Sequence, residues 1–377
     1  MYFDYCATTP ISEEVLEAMR PFWGDDFGNP SSLHQYGRKA AQAITHARNQ
    51  VAALLHANSE EIIFTSGATE ANNLAIMGNL RPWENTRAHL ITSAIEHHSV
   101  LHTAEALERM GCDVTYLPVD SRGLISIDEL RRAIRSETRM ISVMHVNNEI
   151  GTIQPLAEIG KIAAEHAIIF HCDAVQGIGL LDVDVKELGI DLLSISAHKI
   201  YGPKGVGALY IQDGIEIQNL FYGGSQEKAI RPGTENVPGI IGLGKAAELV
   251  QQNKHKNKQH IAELRDQLIF QLSSIIPNLM VNGPEGDLVC PHVLSLTFPG
   301  SVAEMMQIQL SMNDIAISLG SACNSKEIAP SHVLLAMGLS PADADATIRI
   351  SIGNETTQEE ITKLAEILPN VASACKI

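Results

Sequence analysis

No apolar run in this chain is long enough to span a bilayer. The longest, around residues 268–281, is broken by Gln271, Ser273, Ser274, Pro277 and Asn278. Cysteine pairing is missing too. The six cysteines stand at 6, 112, 172, 290, 323 and 375, with no C-x-x-C pair and no zinc-like spacing, so no metal site is expected and free thiols in a reducing cytoplasm are the default. Basic residues are in deficit: 27 Lys and Arg face 44 Asp and Glu, a formal net charge of −17. That balance sets aside direct nucleic-acid or anionic-membrane binding, both of which reward clustered Lys and Arg. One basic stretch, 254–258, reads as the solvated start of a helix. The first residues, Met1-Tyr2-Phe3-Asp4, carry neither a basic segment nor a signal-length apolar run, and no internal repeat or low-complexity segment is found. A cytoplasmic protein is expected.

What is present describes a globular enzyme. The chain has 377 residues, enough for a large domain and a smaller one, with 45% hydrophobic and 19% charged residues. From residue 61 strand and helix alternate: strands over 61–65, 89–94, 113–117, 140–146, 168–172 and 191–195, helices over 68–80, 99–110, 126–135 and 156–166. Apolar strands separated by helices predict an α/β fold with a mainly parallel sheet covered on both faces. A polar helical pattern over 251–272 leads into strands over 293–298 and 347–352 and a helix over 358–368. This organisation predicts a large domain over 13–255 and a smaller α+β domain built from 1–12 and 256–377.

The residues that carry chemistry stand at strand ends. Lys199, in Ser196-Ala197-His198-Lys199, follows an apolar strand, where a lysine can hold pyridoxal phosphate as a Schiff base. Cys323, in Gly320-Ser321-Ala322-Cys323, lies in a small-residue loop that would expose its sulfur. Ser66-Gly67-Ala68-Thr69-Glu70 joins strand to helix, a natural phosphate seat. Asp173, ending His171-Cys172-Asp173, either pairs with a protonated ring nitrogen or caps the next turn. The pair His97-His98 either faces a planar cofactor or forms a polar helix start, and Asn147-Asn148 either holds a ligand or a turn. Arg349, a charge in an apolar strand, needs a partner, and a substrate carboxylate would serve. The remaining cysteines read as packing residues.

As a set these motifs resemble the pyridoxal-phosphate cysteine desulfurases, class-V aminotransferase-like enzymes, in the branch with a long catalytic loop. The likeness also takes in Asp4-Tyr5, Ala7-Thr8-Thr9-Pro10, Gly28-Asn29-Pro30-Ser31-Ser32, His145 to Gly151, Asp173 to Gln176, Ser196 to Gly205 and Arg231 to Val237. It implies the aspartate-aminotransferase fold (fold type I) in a homodimer. By position it implies that Lys199 carries the cofactor, Asp173 meets the ring nitrogen, Gln176 the ring oxygen, and His97 stacks on the ring and moves protons. Ala68, Thr69, Ser196 and His198 would hold the phosphate with Thr234 of the second subunit, and Asn148 and Arg349 the carboxylate of L-cysteine. Cys323 would take the sulfur as a persulfide and pass it to an acceptor protein. Asn354 and Glu355 stand where relatives have a basic residue, and the chain ends at Ile377, before a tail that contacts the cluster scaffold in better-known members. Both a scaffold and a tRNA- or DNA-thiolation enzyme are therefore expected acceptors. Selenocysteine lyases and transaminases on this fold need no loop nucleophile, so Cys323 discriminates against them. The intact Lys199, Asp173, His97 and Arg349 argue against a non-catalytic sulfur relay.

Overall fold

The computed structural model describes residues 1–82, 87–320 and 330–376. Its strands are β1 Ile62–Thr65, β2 His89–Ser93, β3 Asp113–Leu117, β4 Thr138–Ser142, β5 Ile169–Asp173, β6 Leu192–Ser196 and β7 Gly207–Ile211, then β8 Met280–Asn282, β9 Val293–Thr297, β10 Ser318–Leu319 and β11 Thr347–Ser351. Helices α1 Glu13–Met19, α2 Gln35–Leu55, α3 Ala68–Leu80, α4 His98–Arg109, α5 Ile127–Ala133 and α6 Leu156–Glu165 belong to the first half. They are followed by α7 Val237–Ile275, α8 Ala303–Ser311, α9 His332–Ala336, α10 Pro341–Asp345 and α11 Gln358–Ala374.

The first seven strands form one sheet in the order β1-β7-β6-β5-β4-β2-β3. All run parallel except β7, which is antiparallel to both its neighbours. Strands β1, β2, β6 and β7 are buried at every position, which is why they read as unbroken apolar runs instead of alternating ones. One cluster of buried side chains covers one face, joining α2 and α6 to Ile141, Phe170, Leu193 and Ile195. A second cluster, led by α3 and α4, covers the other. The C-terminal ends of β1, β2, β4, β5 and β6 therefore converge on one edge, where ligands of open α/β sheets bind.

A second sheet, β10-β11-β9-β8, is antiparallel throughout. Its buried face joins α8 and α11 and includes Phe3. The chain's start is laid against it by bridges from Tyr2 to Ala316 and from Asp4 to Ser351.

Each predicted element is present, but the strand expected over 140–146 is β4 and ends at Ser142, and the last helix runs on to Ala374 instead of 368. The pattern does not predict α1, α2, β7, β8, β10 or α8 to α10, and the largest difference is at α7. That helix runs for 39 residues and begins at Val237, where the Asn236 side chain accepts the Gly239 N–H. Residues 254–258 are thus mid-helix and not a helix start. Lys254 is buried and paired with Asp182. One end of α7 (Ile240, Leu243, Ala247) serves the first sheet's core, and the other (Ile261, Leu264, Leu268) serves the second. Among the described residues, no helix is long and apolar enough to cross a membrane.

Candidate active site

A cavity of about 650 Å³ lies at the converging strand ends. It brings together Ala68, Thr69, His97, Asn148, Asp173, Gln176, Ser196, His198, Lys199 and Arg349. Cys6 and Lys204 line it as well. Two expected site residues are not in it. Thr234 is exposed in a separate cavity of about 450 Å³ beside Glu70, Phe221 and Tyr222. Cys323 lies outside the described residues.

The fold places each group for a local reason. Lys199 closes the single helical turn Ala197–Lys199 that follows β6. Its Nζ donates to the carbonyl of Ala7 at 2.8 Å and to that of Cys6. The turn continues into Tyr201, which holds φ 64, a left-handed conformation unfavourable to a bulky side chain. Two contacts fix it there: Tyr201 N–H donates to Thr9 Oγ1 at 2.8 Å, and its hydroxyl accepts the Asn354 N–H at 2.7 Å. Backbone strain is thus held one turn from the lysine. Asn354 and Glu355 line a neighbouring cavity of about 210 Å³.

At the start of α3, Gly67 is the N-cap at φ 154, and the first-turn N–H groups of the helix face the cavity beside Ser196 and Thr69. Glu70, in that first turn, is turned aside: it accepts from Ser66 N at 2.9 Å and pairs with Arg231 at 2.9 Å. Its carboxyl is accordingly lowered, burial being outweighed by Arg231 and Ser66. An anion at the helix start thus meets free donors.

Asp173 ends β5 and is buried. Its Oδ1 accepts the Val175 N–H at 3.1 Å, so the turn-capping reading holds, and its Oδ2 accepts from Asn72 at 2.7 Å. The same carboxylate lines the cavity. His97 likewise serves twice. It caps α4 through its Nδ1, which accepts the Ser99 N–H at 3.1 Å, and it also lines the cavity. Burial lowers its pKa, and Lys199 and the nearby histidines add to that, while Asp173 opposes it. His198 is pushed down to about 4 by burial and by Lys199 and Lys204.

The two asparagines divide their work. Asn147 is buried and builds the turn, accepting from Glu149 N and Ile150 N and donating to Ile95 O. Asn148 faces the cavity. Arg349 is buried on β11 and does have a partner: Nη2 donates to Asp4 at 2.9 Å and Nη1 to Asn148 O at 3.1 Å, with Nε unpaired. Burial works against its charge, but Cys6, Asp4 and Glu149 together raise its pKa. Gln176 accepts from His292 at 3.0 Å and donates to Cys6 O at 3.1 Å. Because histidine Nε2 must be the donor to an amide oxygen, the Gln176 amide is oriented with its NH2 toward Cys6 and the cavity. Sequence reasoning gave no role to Asn72, Ser99, Asp4, His292 or Glu149. Asn72, Asp4, His292 and the Glu149 carboxylate act through partners remote in the chain, and Ser99 links the remote Asn72 to its neighbour His97.

The arrangement suits a planar, anionic, nitrogen-heterocyclic cofactor: a helix start with spare donors at one end, a buried carboxylate at the other, an imidazole and a lysine between. Among the described residues no group of three His, Cys, Asp or Glu side chains is disposed to hold a metal.

Comparison with known proteins agrees with this reading. The family model described as aminotransferase class-V matches residues 1–364, and the chain belongs to that family, whose members of this kind are pyridoxal-phosphate enzymes. It is 48% identical to the cysteine desulfurase IscS of Clostridium botulinum over 98% of this chain and 94% of that one. Among solved structures, a NifS-like protein superposes with TM-score 0.93 at 36% identity, covering 99% of each chain. A structure described as SspA in complex with cysteine gives 0.83 at 44% identity, covering 94% of this chain and 99% of that one. Within the class-V aminotransferases, the chain is a member of the cysteine desulfurase family.

Proposed function

We propose that this desulfurase takes the sulfur of L-cysteine onto Cys323 as a persulfide, releases L-alanine and hands the sulfur to an acceptor protein. The observation that carries the reading is the single cavity in which Lys199, Asp173, His97 and Arg349 meet at the strand ends. Pyridoxal phosphate, when bound, draws electron density from the amino acid's Cα and loosens its Cβ–S bond. Ala68 and Thr69 at the start of α3, with Ser196 and His198, would hold its phosphate. Asp173 would meet the ring nitrogen and Gln176 the ring oxygen.

The chain's own groups do the rest. Arg349, with Asn148, grips the substrate carboxylate and fixes which bonds face Lys199. Lys199 Nζ, once free, takes the Cα proton. His97 stays neutral because of its burial and serves proton transfers at its cavity-facing nitrogen. The Cys323 thiolate then forms an S–S bond with the substrate sulfur as the Cβ–S bond breaks, and the carbon fragment takes up a proton to leave as alanine. Atoms and electrons balance with no external oxidant.

Thr234 would complete the phosphate site of a second copy, so the working unit is a homodimer. Its exposure away from this chain's own cavity supports that, as do the exposed Trp23 (71%), Phe27 (72%), Leu33 (89%) and Tyr222 (83%), apolar surface that a second copy would cover. The division into a large domain over 13–255 and a small domain of 1–12 and 256–377 is supported by Phe3 lying in the second sheet's core. The likeness to proteins named IscS favours an iron–sulfur cluster scaffold as acceptor over a thiolation enzyme. A cytoplasmic location fits the unpaired, buried thiols of the described cysteines. The test is alanine release from L-cysteine with a thiol reductant, native chain against Cys323→Ala. Loss of turnover in the variant supports the persulfide. Equal rates would remove Cys323 and favour a lyase.

A further inference from the structure

Asn72 is fully buried on α3, one turn beyond the phosphate seat, and uses its amide in an unusual way. Its Nδ2 donates to Asp173 Oδ2 at 2.7 Å and to Ser99 Oγ at 2.8 Å, while its Oδ1 has no hydrogen-bond partner. A buried amide carbonyl without a partner costs stability, and turning the amide over to relieve it would set that oxygen against the Asp173 carboxylate. The orientation is therefore fixed by Asp173. Ser99 Oγ accepts from Asn72, which leaves its own hydrogen to donate to His97 Nδ1 at 2.8 Å. The Ser99 N–H points at the same nitrogen at 3.1 Å. With two donors aimed at Nδ1, neutral His97 carries its proton on Nε2.

We propose that Asn72 is a positioning residue that couples Asp173 to His97, fixing the aspartate carboxylate by its hydrogen bond and holding the histidine in its Nε2–H tautomer through Ser99. One amide thereby orients two groups of the same cavity, the Asp173 carboxylate that would meet a ring nitrogen and the imidazole proposed to move protons. Asn73, next in the chain, cannot substitute, because its amide donates to Thr69 O on its own helix at 2.9 Å. The inference rests on the proposed roles of Asp173 and His97, but the tautomer itself does not depend on the reaction.

The test uses the purified full-length chain labelled with 15N-histidine, with His97→Gln identifying the signal. In native protein without cofactor, His97 is expected to show the proton on Nε2. In Asn72→Leu the Ser99 hydroxyl is released and only the Ser99 N–H still aims at Nδ1, so the Nδ1–H tautomer is expected to gain population relative to the native protein. A proton on Nδ1 in the native protein, or an unchanged His97 signal in Asn72→Leu, would overturn the proposal. Should Asn72→Leu fail to fold, Ser99→Ala removes the hydroxyl link alone. It is then expected to alter the His97 signal while Ser99→Thr restores it, and no change in Ser99→Ala would count against the link. In the holoenzyme, Asn72→Leu is expected to lower kcat at least tenfold with KM for cysteine changed less than threefold, whereas a proportional rise in KM alone would contradict positioning. If alanine release in the native chain proves independent of Cys323 while the His97 tautomer is as expected, the desulfurase reading fails and the coupling stands.

Discussion

The Ser331 hydroxyl donates a 2.5 Å hydrogen bond to the buried Glu149 carboxyl, tying the N-cap of α9 to the turn that presents Asn148. Gly320 lies against the same carboxyl oxygen: a Cβ added there would be 3.1 Å from Glu149 Oε2 and 3.3 Å from Ser331 Cβ. Glu149 thus touches residues on both sides of the segment that carries Cys323. Burial pushes its pKa up from 4.5 to about 7, with Ser331 and Arg349 opposing. A carboxyl raised on folding contributes stability that is fully present below its unfolded pKa and lost as pH rises through the folded value. Calorimetric melting temperatures should therefore fall for the native chain relative to Glu149→Gln between about pH 4.5 and pH 7. A constant difference across that window would mean that Glu149 is ionised in the folded state.

Gly207 sits between Thr65 and Ser196 in the sheet, at the base of the phosphate seat. A Cβ there would come within 2.5 Å of Ile195 O and 2.8 Å of the Gly67 backbone. Both are main-chain atoms, so the strand pair or the start of α3 must move. Gly207→Ala is expected to cost about 1–3 kcal/mol, the usual range for overpacking. It should also weaken pyridoxal phosphate binding about tenfold, because the N–H groups that face the phosphate shift with Gly67. Thermal melts with and without cofactor, together with a cofactor titration, separate the two effects. Unchanged affinity would show that the seat is independent of this contact.

The contrast between α3 and α7 shows what the chain alone reveals. Helix α3 was legible because a buried strand and a Ser66-Gly67 turn precede its helical pattern; the structure adds that the helix stops at a left-handed residue, Arg81. Helix α7 was legible only from its polar middle. Its first turns contain Pro238, Gly239, Gly242 and Gly244, poor helix formers that read as loop. The structure explains them by packing. A Cβ at Gly244 would lie 2.6 Å from Ala47 Cα on α2, and one at Gly242 2.7 Å from Met19 Sδ. Close helix approach, invisible in local propensity, outweighs it. The site shows the same division. Lys199, Asp173 and His97 announced themselves by standing at strand ends. Asp4, Asn72 and His292 matter through partners 345, 101 and 116 residues away, and no spacing rule reaches that far.

Arg349 offers a two-pronged guanidinium whose Nη1 donates to the Asn148 carbonyl and whose Nη2 donates to Asp4. A lysine would keep the charge but lose the fork that recognises a carboxylate in two places. Arg349→Lys is expected to raise KM for L-cysteine about tenfold to a hundredfold, equivalent to about 1.4–2.8 kcal/mol, with a smaller effect on kcat. Steady-state alanine release over a range of cysteine concentrations measures the split. A pure kcat defect would instead assign Arg349 to structure through Asp4.

Thr234 gives a prediction that depends on the assembly. In its own chain it lines a cavity with Glu70, Phe221 and Tyr222, apart from the cavity that contains Lys199. If it completes the phosphate site of a second copy, then Lys199→Ala and Thr234→Glu impair different halves of one composite site. The first removes the lysine, and the second sets a carboxylate against the cofactor phosphate. Each variant alone should release little alanine. Mixed, dissociated and reassociated, they should form heterodimers in which one of the two sites has both native residues. With random pairing, half the dimers are mixed and half the sites in each are intact, so about a quarter of native activity should return. Size-exclusion chromatography of the mixture checks that the dimer has re-formed. Recovery near that level would place Thr234 across the subunit boundary. No recovery from a re-formed dimer would return Thr234 to its own chain and take the partner's contribution out of the phosphate site.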